Sequence, residues 1–244
     1  MTAHYVDSDG FDGFDGFDGF DALTFDCYGT LIDWETGLLA GLRSVLDAHR
    51  ASADDDVLLE AYAGFEAHAE AGPYLPYREV LGVGLRGVCD RLGISPTDGE
   101  VATFGRSVAD WPAFPDSTTA LARLKTRFRL GVITNCDDDL FAISNRRLGV
   151  DFDWVVTAQQ ARGYKPRLAN FQVAFEQIDV PRERILHVAQ SLFHDHVPAK
   201  ALGMTTVWID RRHDRPGSGA TPPAAVVPDF VFPDMASFAE AAVR

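Results

Sequence analysis

The chain has 244 residues, 46% of them hydrophobic and 24% charged, a balance that excludes collagen, a fully disordered chain and a small disulfide scaffold. Its net charge of −14, from 36 acidic against 22 basic residues, argues against nucleic acid, which needs basic patches to release counterions, and against anionic membrane surfaces. No apolar run reaches ~18 residues, the first residues lack a basic start followed by an apolar block, and Cys27, Cys89 and Cys136 form no framework and no CxxC; a cytoplasmic location is expected. The acids split into 27 Asp and 9 Glu, the bases into 19 Arg and 3 Lys. That composition suits a high-salt cytoplasm, and a GC-rich genome encodes the same bias.

Residues 9–20 read DGFDGFDGFDGF. A period of three matches neither a strand nor a helix face, and the glycines make ordering costly. Residues 1–20 are therefore expected to be a solvated tail, with order beginning near Ala22. The run Ala22–Phe25, bounded by Asp26 and Gly29, predicts a buried strand running into a loop. From residue 35 to 112 the pattern turns helical. LLAGLRSVLDAH, VLLEAYAGFEAHAEA, YREVLGVGLRGVCDRL and EVATFGRSVAD each repeat apolar residues at helical spacing, separated by turn chemistry. After Pro112 the chain alternates. Strands are expected at 128–134, 154–156, 185–188, 205–209 and 229–231. Helices are expected at 118–127, 138–148, 168–177, 195–202 and 235–243. This predicts an α/β fold: a doubly wound parallel sheet of residues 21–34 and 113–244, with a helical insert at 35–112.

In such a sheet the ligand site lies beyond the carboxyl ends of the strands. Asp26 sits there, and a carboxylate in a Gly-bounded loop suits a nucleophile as well as a turn cap. Lys165, in GYKP, is a cation able to keep Asp26 ionised, or a surface lysine. Asp195 could hold Lys165, orient a water or cap a helix. Thr134 and Asn135 offer a hydroxyl and an amide at a third strand end. His194 and His196 flank Asp195 as acid/base groups or as helix-start packing.

Together FDCYGTL, ITNCD, GYKP and AQSLFHD, in that order, resemble the haloacid dehalogenase superfamily. The resemblance covers residues 22 to 240 and makes the helical insert the mobile cap of that family. It implies Asp26 as nucleophile, Thr30 as its positioning partner, Thr134 as the hydroxyl of the second motif, Lys165 as the lysine of the third and Asp195 as the last acid. Phosphatases of that family carry Asp at the position of Tyr28 and Gly-Asp at Ala189-Gln190. A phenol is a poor acid near neutral pH, and losing a carboxylate weakens a Mg²⁺ site. The Asp-x-Tyr-Gly-Thr-Leu form is similar to the (S)-2-haloacid dehalogenases, which implies conversion of a short 2-haloalkanoic acid to the 2-hydroxy acid through an aspartyl ester on Asp26, with no cofactor. A Mg²⁺-dependent phosphatase of small phosphate esters is the alternative. Substrate contacts are expected from Cys27, Tyr28, Thr134, Asn135 and Ser191. The cap Arg that receives halide in such enzymes has no counterpart in ASADDDVLLEAYA, which leaves Arg78 as the cap candidate. Phe171 and Leu192 stand where those enzymes have Tyr and Asn. The expected partner is a small molecule, with no nucleic acid and no membrane, and the chain is compatible with a homodimer.

Overall fold

The computed structural model describes residues 4–5, 16–215, 217 and 219–244. Among them lie seven strands: β1 (His4–Tyr5), β2 (Ala22–Phe25), β3 (Arg129–Thr134), β4 (Trp154–Thr157), β5 (Ile185–Ala189), β6 (Thr205–Ile209) and β7 (Phe230–Phe232). All pair in parallel, in the order β1-β7-β6-β5-β2-β3-β4. β2 is central and fully buried, as a continuous apolar run in a two-sided sheet should be. The chain runs from β2 out to β3 and β4, then returns to β5 on the other side of β2. This reversal opens a crevice at the carboxyl ends of β2, β3 and β5.

Strand alternation sets the two faces. Leu23, Phe25, Leu130 and Val132 pack under α5 (Ser117–Lys125), α6 (Asp138–Leu148) and α10 (Met235–Ala242). Ala22, Ile133 and Ile185 pack against α8 (Ala169–Gln177) and α9 (Val197–Ala201). A short helix, α7 (Ala158–Ala161), follows β4; nothing in its four residues announced it.

The insert consists of α1 (Trp34–Ala48), α2 (Asp55–Ala71), α3 (Tyr77–Arg91) and α4 (Asp98–Arg106), closed by a 3₁₀ turn at Ser107–Asp110. Local chemistry starts these helices. Asp54 caps α2 by accepting from Asp56 N, and Asp55 and Asp56 complement the dipole of its first turn. Thr97 and Glu100 form a reciprocal capping box on α4. α2 and α3 approach closely because Gly84 faces the Tyr62 ring, where a Cβ would come within 2.4 Å. The two chain crossings between insert and sheet are bonded to each other: Asp33 N donates to Pro112 O at 2.8 Å and Phe114 N to Leu31 O at 3.1 Å. Among the described residues no helix is long and apolar enough to cross a membrane.

Two expectations are corrected. Order does not begin at Ala22: Phe17, inside the repeat, is 1% exposed, with its ring 5.2 Å from that of Phe230 and 5.6 Å from that of Phe238. Apolar contact at the sheet edge outweighs the missing periodicity there. Residues 9–15 of the repeat lie outside the described residues. The helix expected over 195–202 is present as α9 but starts later, after a π turn at Leu192–His196. The wider turn buries His194, Asp195 and His196 together.

Candidate active site

Asp26 follows β2 directly, and its N–H still donates to Val188 O of β5 at 3.1 Å. The chain then turns sharply through Gly29, whose φ of +95° is one that side-chain-bearing residues rarely adopt. The turn brings Thr30 back so that its Oγ1 donates to Asp26 Oδ2 at 2.7 Å. The same hydroxyl accepts from Gln190 N at 2.9 Å, which ties the loops after β2 and β5 together. Arg211 fixes this loop from below: Nη2 donates to Thr30 O at 2.9 Å, while the guanidinium pairs with Asp116.

Lys165 is 1% exposed. Its Nζ donates to Asp26 Oδ1 at 2.9 Å, Asp195 Oδ1 at 2.6 Å and Ile133 O at 2.8 Å, the full complement of an ammonium. Asn135 clamps the backbone on both sides, accepting from Lys165 N at 2.8 Å and donating to Lys165 O at 3.1 Å. The Lys165–Pro166 peptide is cis. Asp195 Oδ1 also meets His187 Nε2 at 3.1 Å, and His187 Nδ1 meets Thr24 Oγ1 at 2.9 Å. Asp195 Oδ2 is buried with no hydrogen bond.

Two buried carboxylates thus share one ammonium. Burial would raise Asp195, but Lys165 and His187 override it and hold its carboxyl well below the usual range. Burial pushes Asp26 up; Lys165 opposes this and Asp195 adds to it, so the net direction is upward. Lys165 does lower the Asp26 carboxyl as expected, but burial is the larger effect and outweighs it. Burial would lower Lys165, and the two aspartates instead raise it.

Asp26, Lys165 and Asp195 line a cavity of about 30 Å³ together with Tyr28, Asn135 and Ser191. Tyr28 meets Ser144 Oγ at 2.9 Å, and burial pushes its hydroxyl well up. Ser191 caps the π turn, its Oγ accepting from His194 N at 2.9 Å. Three expected contacts do not line the cavity. The Cys27 side chain is fully buried in the core beneath the loop. Thr134 Oγ1 is buried at the end of β3 with no hydrogen bond. Arg78 pairs with Asp139 at 2.8 Å on the outer surface, because the phase of α3 turns it outward.

The sequence reading missed two acids in the cavity wall, Glu66 and Glu70 of α2, which are 3% and 6% exposed. Glu66 Oε1 accepts from the hydroxyls of Tyr62 and Tyr77, each at 3.1 Å. Glu70 Oε1 accepts from Asn135 Nδ2 at 3.3 Å. Burial pushes Glu66 up to about 7 and Glu70 well above the carboxylate range. The available signal was their place at helical spacing after Leu59 and Tyr62, where an apolar stripe would continue. The insert is held over the cavity by Tyr77 N to Asp137 Oδ1 at 3.0 Å and Tyr164 OH to Leu75 O at 2.7 Å.

The sequence pattern of haloacid dehalogenase-like hydrolases matches residues 20–201. The chain belongs to that family. This hydrolase is 26% identical over 200 residues to haloacetate dehalogenase H-2 of Moraxella sp. (strain B), a match spanning 78% of this chain and 85% of that one. Its fold is similar to that of an L-2-haloacid dehalogenase from Xanthobacter autotrophicus solved with chloropropionic acid covalently bound, with a TM-score of 0.74 at 20% identity over 91% of this chain and 97% of that one. L-2-haloacid dehalogenase RSc1362 gives a TM-score of 0.74 at 25% identity, over 92% and 99%.

For the Mg²⁺ that phosphatases of this family use, the donor set is a poor fit. Asp26 and Asp195 already face the Lys165 ammonium. A partly buried phenol and an amide, Tyr28 and Gln190, stand where the resemblance places the carboxylates of a phosphatase, and hard divalent cations prefer charged oxygen donors.

Proposed function

We propose that this hydrolase releases halide from a short 2-haloalkanoic acid and forms the 2-hydroxy acid through an ester on Asp26, without a metal. The observation that carries this reading is the Asp26 carboxylate fixed at both oxygens, by Thr30 and Lys165, at the floor of a cavity beneath the insert. The resemblance to haloacetate dehalogenase H-2 supports it. An Asp26 oxygen attacks C2 of the substrate as the carbon–halogen bond breaks, and halide leaves with the bonding pair. Halide is stable as an anion, so no proton donor is required of Tyr28. Water then adds to the ester carbonyl carbon, the bond between that carbon and the alkyl oxygen breaks, and the alkoxide takes a proton that the water gives up. Asp195, with Oδ2 unbonded, orients the water, and Lys165 stabilises the negative charge that develops on the carboxyl. Ser191 and the loop after Asp26 receive the substrate carboxylate.

The test is chloride release from each enantiomer of 2-chloropropionate with EDTA present, together with the mass of the protein during turnover. We expect chloride from one enantiomer, lactate of inverted configuration and a mass gain on Asp26. Hydrolysis of phosphate esters that requires Mg²⁺, with no chloride released, overturns the reading.

A further inference from the structure

The acid pair on α2 has no role in the steps above. Glu66 and Glu70 are one turn apart, on the same face of the helix. Each keeps an oxygen out of any hydrogen bond: Glu66 is bonded only through Oε1, and Glu70 Oε2 lies 3.5 Å from His194 Nε2 without hydrogen-bond geometry. That histidine nitrogen is itself buried and unpartnered, in a residue only 9% exposed. Two carboxyl oxygens outside any protein hydrogen bond and one buried, unbonded ring nitrogen therefore line one wall of the cavity. Lys165, among the described residues the one Lys or Arg lining it, already spends its three donors on Asp26, Asp195 and Ile133.

A plain 2-haloacid brings only negative charge to this wall and leaves both free carboxyl oxygens unanswered. A buried carboxylate without a donor or a cation is strongly disfavoured, and a compact ammonium supplies both at once. Resting on the dehalogenase reading, we propose that the preferred substrate is a 2-haloacid carrying a protonated amine one carbon from the reacting centre, received by Glu66 and Glu70. The short reach follows from the cavity, since Asp26 and both glutamates line the same small pocket. His194 Nε2 borders the ammonium site as a neutral ring, because burial pushes its basicity down to about 4 and keeps a second cation away. The chemistry is unchanged: Asp26 displaces halide from C2, the ester is hydrolysed and the amine keeps its proton throughout.

The experiment compares chloride release from 2-chloropropionate and 3-amino-2-chloropropionate by the full chain and by Glu70→Gln, with the enzyme-free rate subtracted. Calorimetric binding of 3-amino-2-hydroxypropionate and lactate to the wild-type protein runs alongside. We expect kcat/KM to favour the aminated compound by about tenfold or more, and Glu70→Gln to reverse that preference, since an amide cannot pair an ammonium. The amino product should also bind more tightly than lactate. Equal or weaker use of the aminated compound, with lactate binding at least as well as the amino product, overturns the proposal while leaving the dehalogenase reading intact. Chloride from neither compound, with the amino product still bound more tightly, overturns the dehalogenase reading and leaves the ammonium site standing. If Glu70→Gln fails to fold, the wild-type substrate ratio and the two binding constants decide the question alone.

Discussion

Lys165 Nζ stands 2.6 Å from Asp195 Oδ1, a shorter contact than the 2.9 Å it makes with Asp26. The ammonium is therefore unequally shared. Asp195, which also has His187, is the better-neutralised acid, and Asp26 keeps more of the reactivity of a buried carboxylate.

Asp26→Asn should abolish turnover by several orders of magnitude while leaving far-UV circular dichroism unchanged, because the amide keeps the shape but cannot attack carbon. Steady-state chloride release measures it. A rate within about tenfold of wild type would remove Asp26 from the role.

Asp195→Asn and Lys165→Ala should move the acid limb of kcat/KM in opposite directions. Asp26 must be ionised to attack, so the limb follows its pKa. Removing Asp195 takes away a like charge that raises Asp26, and the limb shifts to lower pH. Removing Lys165 takes away the opposing cation, and the limb shifts to higher pH. Both variants lower kcat at the optimum. pH–rate profiles separate them, and shifts of the same sign would contradict the shared-ammonium geometry.

Lys165→Arg should be nearly as inactive as Lys165→Ala. A planar fork cannot make three divergent contacts in a slot where Lys165 is 1% exposed. Recovery of more than about a tenth of the wild-type rate would mean that charge alone suffices.

Glu66→Gln should flatten the pH dependence of stability. The folded-state pKa of Glu66 is raised to about 7 from an ordinary 4.5, so between those values the folded protein holds a proton that the unfolded chain has lost. The stability contributed by the neutral carboxyl is complete below about pH 4.5 and declines as pH rises toward 7, with a slope approaching 1.4 kcal/mol per pH unit. Urea denaturation at several pH values should show that decline in wild type and a shallower one in Glu66→Gln.

Phe17→Ala should destabilise the fold by about 3 kcal/mol, since it empties a packed aromatic site against Phe230 and Phe238. A change near zero in urea denaturation would return Phe17 to solvent.

Six of the seven strands among the described residues were legible because each is an apolar run closed by polar or glycine residues, with helices of helical period between them; β1 (His4–Tyr5), inside the expected tail, has no such run and was missed. The core of the site was legible for the same reason: Asp26, Asn135 and Asp195 follow buried strands and need no distant information to be placed. Glu66 and Glu70 escaped because their importance depends on which face of α2 leans over the sheet, a tertiary fact set partly by the close approach at Gly84. Arg78 was misplaced for the complementary reason, since its helix phase carries it away to Asp139. Phe17 escaped because a three-residue repeat has no secondary-structure period, and the aromatic edge formed by β7 and α10 that buries it is a tertiary feature.

The insert that roofs the cavity has a kinetic consequence. A substrate that enters by displacing it needs the insert to swing aside twice per cycle, once to admit substrate and once to free product. Each swing breaks the Tyr77–Asp137 and Tyr164–Leu75 contacts and turns about two crossings that are bonded to each other and so move as one. If that swing is slower than bond cleavage, the maximal rate becomes indifferent to the halogen. Bromo and chloro acids would then share one kcat and differ in kcat/KM, and added viscosogen would slow both equally.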